Sequence, residues 1–204
     1  MDVLLNLTEF PETTFPGKEG HTNYNYFYIN EFSGMQDKFE TERLVLTRIS
    51  VQDALFFYHL VNTPPWIRFI GDRNIHTVDE AEQYIEKLII NPHIIYWVVT
   101  LKAGNTSIGI ISFIKRDYLD YHDIGFALLP QYTHNGYAYE ASGKVLNYAT
   151  GILKMPVIAA TTIRTNVPSI RLLEKLNFRY NKSIEVGDEE LLVYTTSSLQ
   201  TNRG

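Results

Sequence analysis

The sequence predicts an α/β domain in which strands and helices interleave around a central sheet. Three observations carry that expectation. Apolar runs of strand length recur along the chain, notably Ile94–Leu101, Ser107–Lys115 and Ile124–Leu129. Between them lie stretches with helical periodicity, opened by residues suited to capping. One run, Ile124–Leu129, stops at Pro130 and passes through the short polar loop 131–135 into a helical pattern that begins at Gly136.

Composition narrows the class of protein. The chain has 204 residues, 45% of them hydrophobic, enough to bury one sizeable core. It has no cysteine, which excludes disulfides, thiolate metal sites and a cysteine nucleophile. Net charge is −5 and no basic run occurs, so nucleic acid is not an expected partner. A mildly acidic surface suits a cationic substrate such as an amine. The apolar runs are shorter than a membrane span, and the start, with acidic Asp2, lacks a signal pattern. A soluble, cytoplasmic protein is expected.

Residues 1–38 are the least legible and are expected to form an N-terminal extension or arm, with the domain proper at 39–204. Within the arm, Tyr24–Ile29 is an aromatic run with rough alternation, suited to a strand. Met35 offers a second start position. Phe39–Arg48 reads as the first strand, with Leu44 and Leu46 on one face. Ser50 and Asp53 form a capping-box pair for a helix that Pro64-Pro65 should stop. Trp66 and Phe69 then fall in a loop. Thr77 and Glu80 cap a second helix, with Ala81, Tyr84, Ile85, Leu88 and Ile89 as its apolar face and Pro92 as its end. A hairpin follows, turning at 102–105; Gly109, inside its second strand, marks a close approach by another chain.

After the corner at Pro130, Tyr137, Ala141, Val145 and Tyr148 share one helical face, which runs to about Gly151. The start of that helix exposes unpaired N–H groups and a partial positive charge, an arrangement suited to a phosphate or pyrophosphate. Val157–Thr162 reads as a short buried strand. Asn166 is a suitable N-cap, Pro168 fits a first turn, and Asn177 can end that helix in a left-handed conformation. Ile184–Val186 and Leu191–Thr195 close the chain as a hairpin around Gly187-Asp188, and the last few residues are expected to fray.

Gln131-Tyr132-Thr133-His134-Asn135-Gly136 fits neither the P-loop nor the dinucleotide fingerprint. It resembles the coenzyme-A pyrophosphate loop of the GNAT acetyltransferases, Gln/Arg-x-x-Gly-x-Gly/Ala, with His134 where the first glycine usually stands. The longer string Leu129-Pro130-Gln131-Tyr132 to Gly136-Tyr137-Ala138 and Glu140-Ala141 is similar to the branch of ribosomal-protein N-terminal acetyltransferases (RimJ/RimL-like). So are Thr41-Glu42-Arg43-Leu44, Leu46 and Arg48, and the stretch Asn166 to Phe178. The resemblance covers roughly 39–196 and implies the GNAT acyl-CoA N-acyltransferase fold, a mixed and mostly antiparallel sheet flanked by helices.

What the resemblance implies for chemistry is acetyl transfer from acetyl-CoA to a primary amine, on a protein N-terminus or a small molecule, by direct attack. It leaves room for a homodimer. Cofactor contacts carry over to Gln131, His134, Asn135, Gly136, Tyr137 and Ala138 around the pyrophosphate, to the backbones of Phe126 and Leu128 along the pantetheine arm, and to Asn166 and Ser169 near the thiol. Asp123 is the first candidate general base and Glu140 the second, although a carboxylate in the first turn of a helix also serves its dipole. Ser169 is a further candidate for the chemistry, and Trp66 and Phe69 for the acceptor pocket. Many members use a tyrosine on the last helix as the acid; Leu173 stands there. A non-catalytic acyl-CoA-binding module and an unrelated α/β nucleotide-binding protein are the rival readings.

Overall fold

The computed structural model describes Phe32 and residues 34–196. The aromatic run Tyr24–Ile29 and the C-terminal residues 197–204 lie outside the described residues. Strands are β1 (Lys38–Glu40), β2 (Leu44–Arg48), β3 (Ile94–Leu101), β4 (Thr106–Ile114), β5 (Asp123–Leu128), β6 (Ala159–Thr162), β7 (Phe178–Val186) and β8 (Glu189–Thr196). Helices are α1 (Ala54–Val61), α2 (Pro64–Phe69), α3 (Val78–Ile90), α4 (Tyr137–Gly151) and α5 (Val167–Lys175), with short 3-10 turns before α1 and before α4.

All eight strands form one sheet in the order β1-β2-β3-β4-β5-β6-β8-β7. Its pairs are antiparallel except β5 with β6, the mixed and mostly antiparallel arrangement that the resemblance implies. The sheet separates two apolar layers. On β3, Ile95, Trp97 and Val99 face Val145 and Ala149 of α4, while Ile94, Tyr96 and Val98 face Phe57, Leu60, Ile85 and Leu88 of α1 and α3. A strand covered on both faces needs a near-continuous apolar run, which is what Ile94–Val99 supplies.

Local chemistry accounts for most element boundaries. Ser50 N and Oγ both donate to Asp53 Oδ2 at 2.9 Å, and Thr77 closes a full capping box with Glu80. Asn177 follows α5 with φ 66°, the left-handed residue expected there. Gly109 is fixed by proximity: a Cβ there would lie 2.3 Å from Ala127 O of β5.

Two expectations need correction. Phe39–Arg48 is not one strand but a tight hairpin, β1 and β2, because Thr41 turns the chain: Thr41 N donates to Leu44 O and Leu44 N to Thr41 Oγ1, each at 3.0 Å. Pro64-Pro65 end α1 but also open α2, since a proline in the first turn lacks only an N–H that the helix does not use. Trp66 and Phe69 therefore ride on a helix rather than in a loop. The end of the expected arm is also part of the body. Phe32 and Met35 are buried in the α4-side core, Tyr148 Oη donates to Gly34 O at 2.6 Å, and Trp97 Nε1 donates to Gln36 O at 2.9 Å. Among the described residues no helix is long and apolar enough to cross a membrane.

Candidate active site

The site begins where two strands part. β5 and β6 share a single register pair, Asp123 with Ala159, and Ala159 N donates to His122 O at 2.8 Å. One step further the backbone bond is replaced by a side chain: Thr161 N donates to Asp123 Oδ1 at 2.9 Å. Asp123 is thus the wedge of a fork. Backbone groups alternate between the two edges of a strand. Since His122 turns its carbonyl to β6, the backbones of Phe126 and Leu128 turn the same way, toward the gap, while Leu129 N donates to Ile108 O on the β4 side at 2.8 Å. An unpaired strand edge of this kind accepts an extended polar ligand as it would another strand.

Beyond Leu128 the chain makes one 3-10 turn, Pro130–Tyr132, and enters α4. His134 has φ 63° and Gly136, the N-cap, has φ 78°. Two left-handed residues turn the chain sharply, so the first N–H groups of α4 open outward, and no side chain caps them. Backbone N–H groups arranged this way suit an anion. The loop is braced from behind. Arg43 Nη1 donates to Asn135 O at 3.0 Å, its guanidinium lies 4.5 Å from the Tyr137 ring centre, and it pairs with Glu140 at 2.6 Å. Thr41 Oγ1 and Arg43 N also donate to Glu140 Oε1, at 2.5 and 3.0 Å. Burial alone would raise the Glu140 pKa, but the hydrogen bonds from Thr41 and Arg43 outweigh it and hold the carboxyl below its ordinary range.

A cavity of about 610 Å³ runs through the fork from α2 to α5. Of the residues singled out from the sequence, Trp66, Phe69, Asp123, Phe126, Leu128, His134, Gly136, Tyr137, Ala138, Asn166 and Ser169 line it. Asn166 Oδ1 accepts from Ser169 N at 3.3 Å, capping α5 at the cavity wall. Gln131, Asn135 and Glu140 are not among the lining residues. Gln131 and Asn135 are exposed, and Glu140 faces β1 and β2 with its carboxylate fully engaged. Leu173 is buried and lines the wall where a tyrosine would stand in many family members.

Asp123 is not a free carboxylate. It is 2% exposed and pairs with Arg116 at 2.6 Å through Oδ2 while Oδ1 holds Thr161 N. Arg116, itself buried, loses proton affinity to burial but gains more from the adjacent carboxylate, so its pKa is raised and it stays charged. Sequence reasoning passed over Arg116, Arg73, Tyr96 and Ser112, all of which line the cavity. Ser112 had one indirect signal, Gly125, where a Cβ would sit 2.5 Å from Ser112 Oγ. The others sit in stretches whose local pattern is fully explained by strand or loop.

Comparison with known proteins agrees with this geometry. The model of the acetyltransferase (GNAT) domain matches residues 43–179. The uncharacterized N-acetyltransferase YoaA of Bacillus subtilis is 29% identical over 144 residues, 69% of this chain and 81% of that protein. A second B. subtilis protein, the uncharacterized N-acetyltransferase YnaD, is 26% identical over 73% of this chain and 89% of its own length. Among solved structures, a GNAT-family acetyltransferase from Bacillus anthracis superposes with a TM-score of 0.67 at 24% identity, covering 78% of this chain and 98% of its own. A ribosomal-protein alanine acetyltransferase from Vibrio fischeri superposes at 0.66 with 19% identity, covering 80% and 97%. The fold, the fork between β5 and β6 and the match across 43–179 agree: the chain belongs to the GNAT family of N-acetyltransferases.

Proposed function

We propose that this protein transfers an acetyl group from acetyl-CoA to a primary amine by direct attack, and that the cavity through the β5–β6 fork is where it does so. The observation that carries the reading is the continuity of three features: an unpaired strand edge at Phe126 and Leu128, an uncapped α4 N-terminus beside it, and a cavity joining both to α2. A pyrophosphate fits the N–H groups from His134 to Ala138, and a pantetheine arm fits the open edge. When bound, acetyl-CoA supplies the activated thioester.

The chain's own residues then have separable roles. Backbone N–H groups on the open edge of β5 are placed to receive developing negative charge on a carbonyl oxygen. Ser169, held on the first turn of α5, is the hydroxyl that this helix offers near the thiol end. Trp66 and Phe69 of α2 form an apolar wall for the acceptor. Asp123 holds the fork open and fixes Arg116. It is also the one carboxylate among the described lining residues, which supports a second role as proton acceptor through solvent. Glu140 and Arg43 brace the phosphate loop. We further propose that 39–204 forms the acetyltransferase domain, with Phe32 and residues 34–38 packed onto it as part of the extension, and that it acts in the cytoplasm, where acetyl-CoA is available. The likeness of Thr41–Arg48 and of the 129–141 string supports the ribosomal-protein branch.

Free-thiol release from acetyl-CoA over a panel of amines tests the reading, alongside thermal unfolding with acetyl-CoA. Ligand at about a hundred times its dissociation constant should stabilise the fold by about 2.7 kcal/mol. No shift at millimolar acetyl-CoA would refute the site.

A further inference from the structure

The acceptor end of the cavity carries a charge opposite in sign to the protein as a whole. The lining of the whole cavity includes three cations, Arg73, Arg116 and Lys175, and among the described lining residues the only carboxylate is Asp123. Asp123 and Arg116 are paired at 2.6 Å, with their side chains 3% and 11% exposed, so they neutralise each other. Lys175 lies 4.5 Å from the ring centre of Tyr139, on the side of α4 and α5. That leaves Arg73, between α2 and α3, as the cation beside Trp66, Phe69 and Tyr96. Tyr96, Arg73, Arg116 and Asp123 line the same cavity.

Arg73 is held there by its loop. Gly71 N donates to Trp66 O at 3.1 Å, Asn62 Nδ2 donates to Ile75 O at 2.9 Å, and Ile75 is buried. The neighbouring carboxylate, Asp72, accepts from Asn74 N at 2.8 Å and is exposed. Among the described residues no carboxylate pairs with Arg73, and its buried Nε has no hydrogen-bond partner. A buried guanidinium N–H left unmatched is costly, and a carboxylate or phosphate oxygen is the group whose geometry matches it. A polycation would find no unpaired carboxylate at the described wall and would meet Arg73 instead.

Resting on the acetyl-transfer reading of this cavity, we infer that the acceptor is a small amine that also carries an anionic group, and that Arg73 binds that group and orients the amine toward the fork. The expectation of a cationic acceptor, drawn from net charge alone, is replaced by a local one. The chemical range is an amino carboxylate or an amino phosphate, and not a polyamine.

The test compares matched pairs on the full-length protein with acetyl-CoA: an α-amino acid against its carboxamide, phosphoethanolamine against ethanolamine, and spermidine. The anionic member of at least one pair should have a kcat/KM about tenfold or more above its neutral partner and above spermidine. Arg73→Gln should raise KM for that anionic amine by about 10- to 100-fold, the range of a charged hydrogen bond. It should leave KM for acetyl-CoA and the melting shift it causes within error, and Arg73→Lys should recover part of the loss. Equal or faster turnover of neutral partners or spermidine overturns the inference. So does an unchanged KM in Arg73→Gln, or no turnover of any anionic amine by a protein that acetyl-CoA stabilises. Absence of that stabilisation would instead overturn the underlying site.

Discussion

The two ends of the cavity are built by different means. The proposed phosphate end is backbone: consecutive N–H groups exposed by left-handed turns at His134 and Gly136, with side chains serving only as braces from behind. The proposed acceptor end is side chain: Trp66 and Phe69 from α2, Arg73 from a loop, Tyr96 from β3, Ser112 from β4, Asp123 from β5. A backbone site depends on conformation and tolerates changes of side chain. A side-chain site depends on identity and is altered one residue at a time. Between them stands Asp123, which belongs to both, because it sets where the strands part and also lines the acceptor end.

Breaking that hinge should have the largest effect. Asp123→Ala leaves Arg116 as a buried, uncompensated charge and Thr161 N–H without its acceptor. Removing one partner of a buried pair costs about 3–5 kcal/mol, so the urea midpoint should fall sharply. Asp123→Asn keeps the shape and an acceptor for Thr161 N–H but still leaves Arg116 without its counter-charge, so its urea midpoint should fall as well. If, under conditions where the variant stays folded, turnover falls by about a hundred to ten thousand-fold with a smaller deficit at high pH, Asp123 takes the proton. If turnover merely follows stability, its role is the fork.

Gly136→Val should damage the phosphate end alone. The position has φ 78°, and a Cβ there would meet Arg43 Nη2 at an ordinary 3.5 Å, so the penalty is conformational rather than a clash. A β-branched residue in this region costs about 1–2 kcal/mol, and any relaxation rotates the N–H groups away from the anion. CoA affinity should drop about tenfold or more by calorimetry, while the acceptor preference measured on bound enzyme stays as in the parent. A change in acceptor preference would show that the two ends are not separable.

The same contrast explains what could be read from the chain alone. The proposed phosphate end is one continuous stretch, so Pro130, Gly136 and the α4 periodicity announced it locally, and the roles of the Phe126 and Leu128 backbones came with the family resemblance. The acceptor end is assembled from residues as far apart as Trp66 and Ser169, and nothing in the local pattern of Arg73 or Tyr96 distinguishes a cavity wall from an ordinary loop or strand. Glu140 looked chemical because it opens a helix near the site; only the hairpin at Thr41, itself read as straight strand, shows that its carboxylate faces away.

Smaller effects probe the brace. Glu140→Gln can keep an acceptor for Thr41 Oγ1 and Arg43 N, but its amide nitrogen cannot accept from Arg43 Nε, so the ion pair is lost; Arg43 is 44% exposed, and solvent screening limits the loss to about 1 kcal/mol at neutral pH. The folded-state pKa of Glu140 is lowered. Its contribution is therefore fully present above the unfolded carboxylate value and fades as pH falls through the lower folded value. Urea midpoints of parent and variant should differ at pH 7 and converge as the solution is acidified below that range. A constant difference down to strongly acidic pH would assign the effect to packing instead.

The least disruptive change sharpens the comparison most. His134 occupies a left-handed conformation, φ 63°, in an exposed turn where the family pattern has glycine. Holding an L-residue there costs on the order of 1–2 kcal/mol. His134→Gly removes that strain but adds freedom to the unfolded chain, worth roughly 0.5–1 kcal/mol in the opposite direction. Net stability should therefore rise by at most about 1.5 kcal/mol. If the phosphate end is backbone alone, CoA affinity should hold or improve slightly, because the N–H groups keep their directions and a side chain leaves their approach. A several-fold loss of affinity at unchanged stability would show that the His134 side chain contacts phosphate directly. In that case this end, too, would read a side chain, and the division between backbone and side-chain recognition would fall between Gly136 and His134 rather than at Asp123.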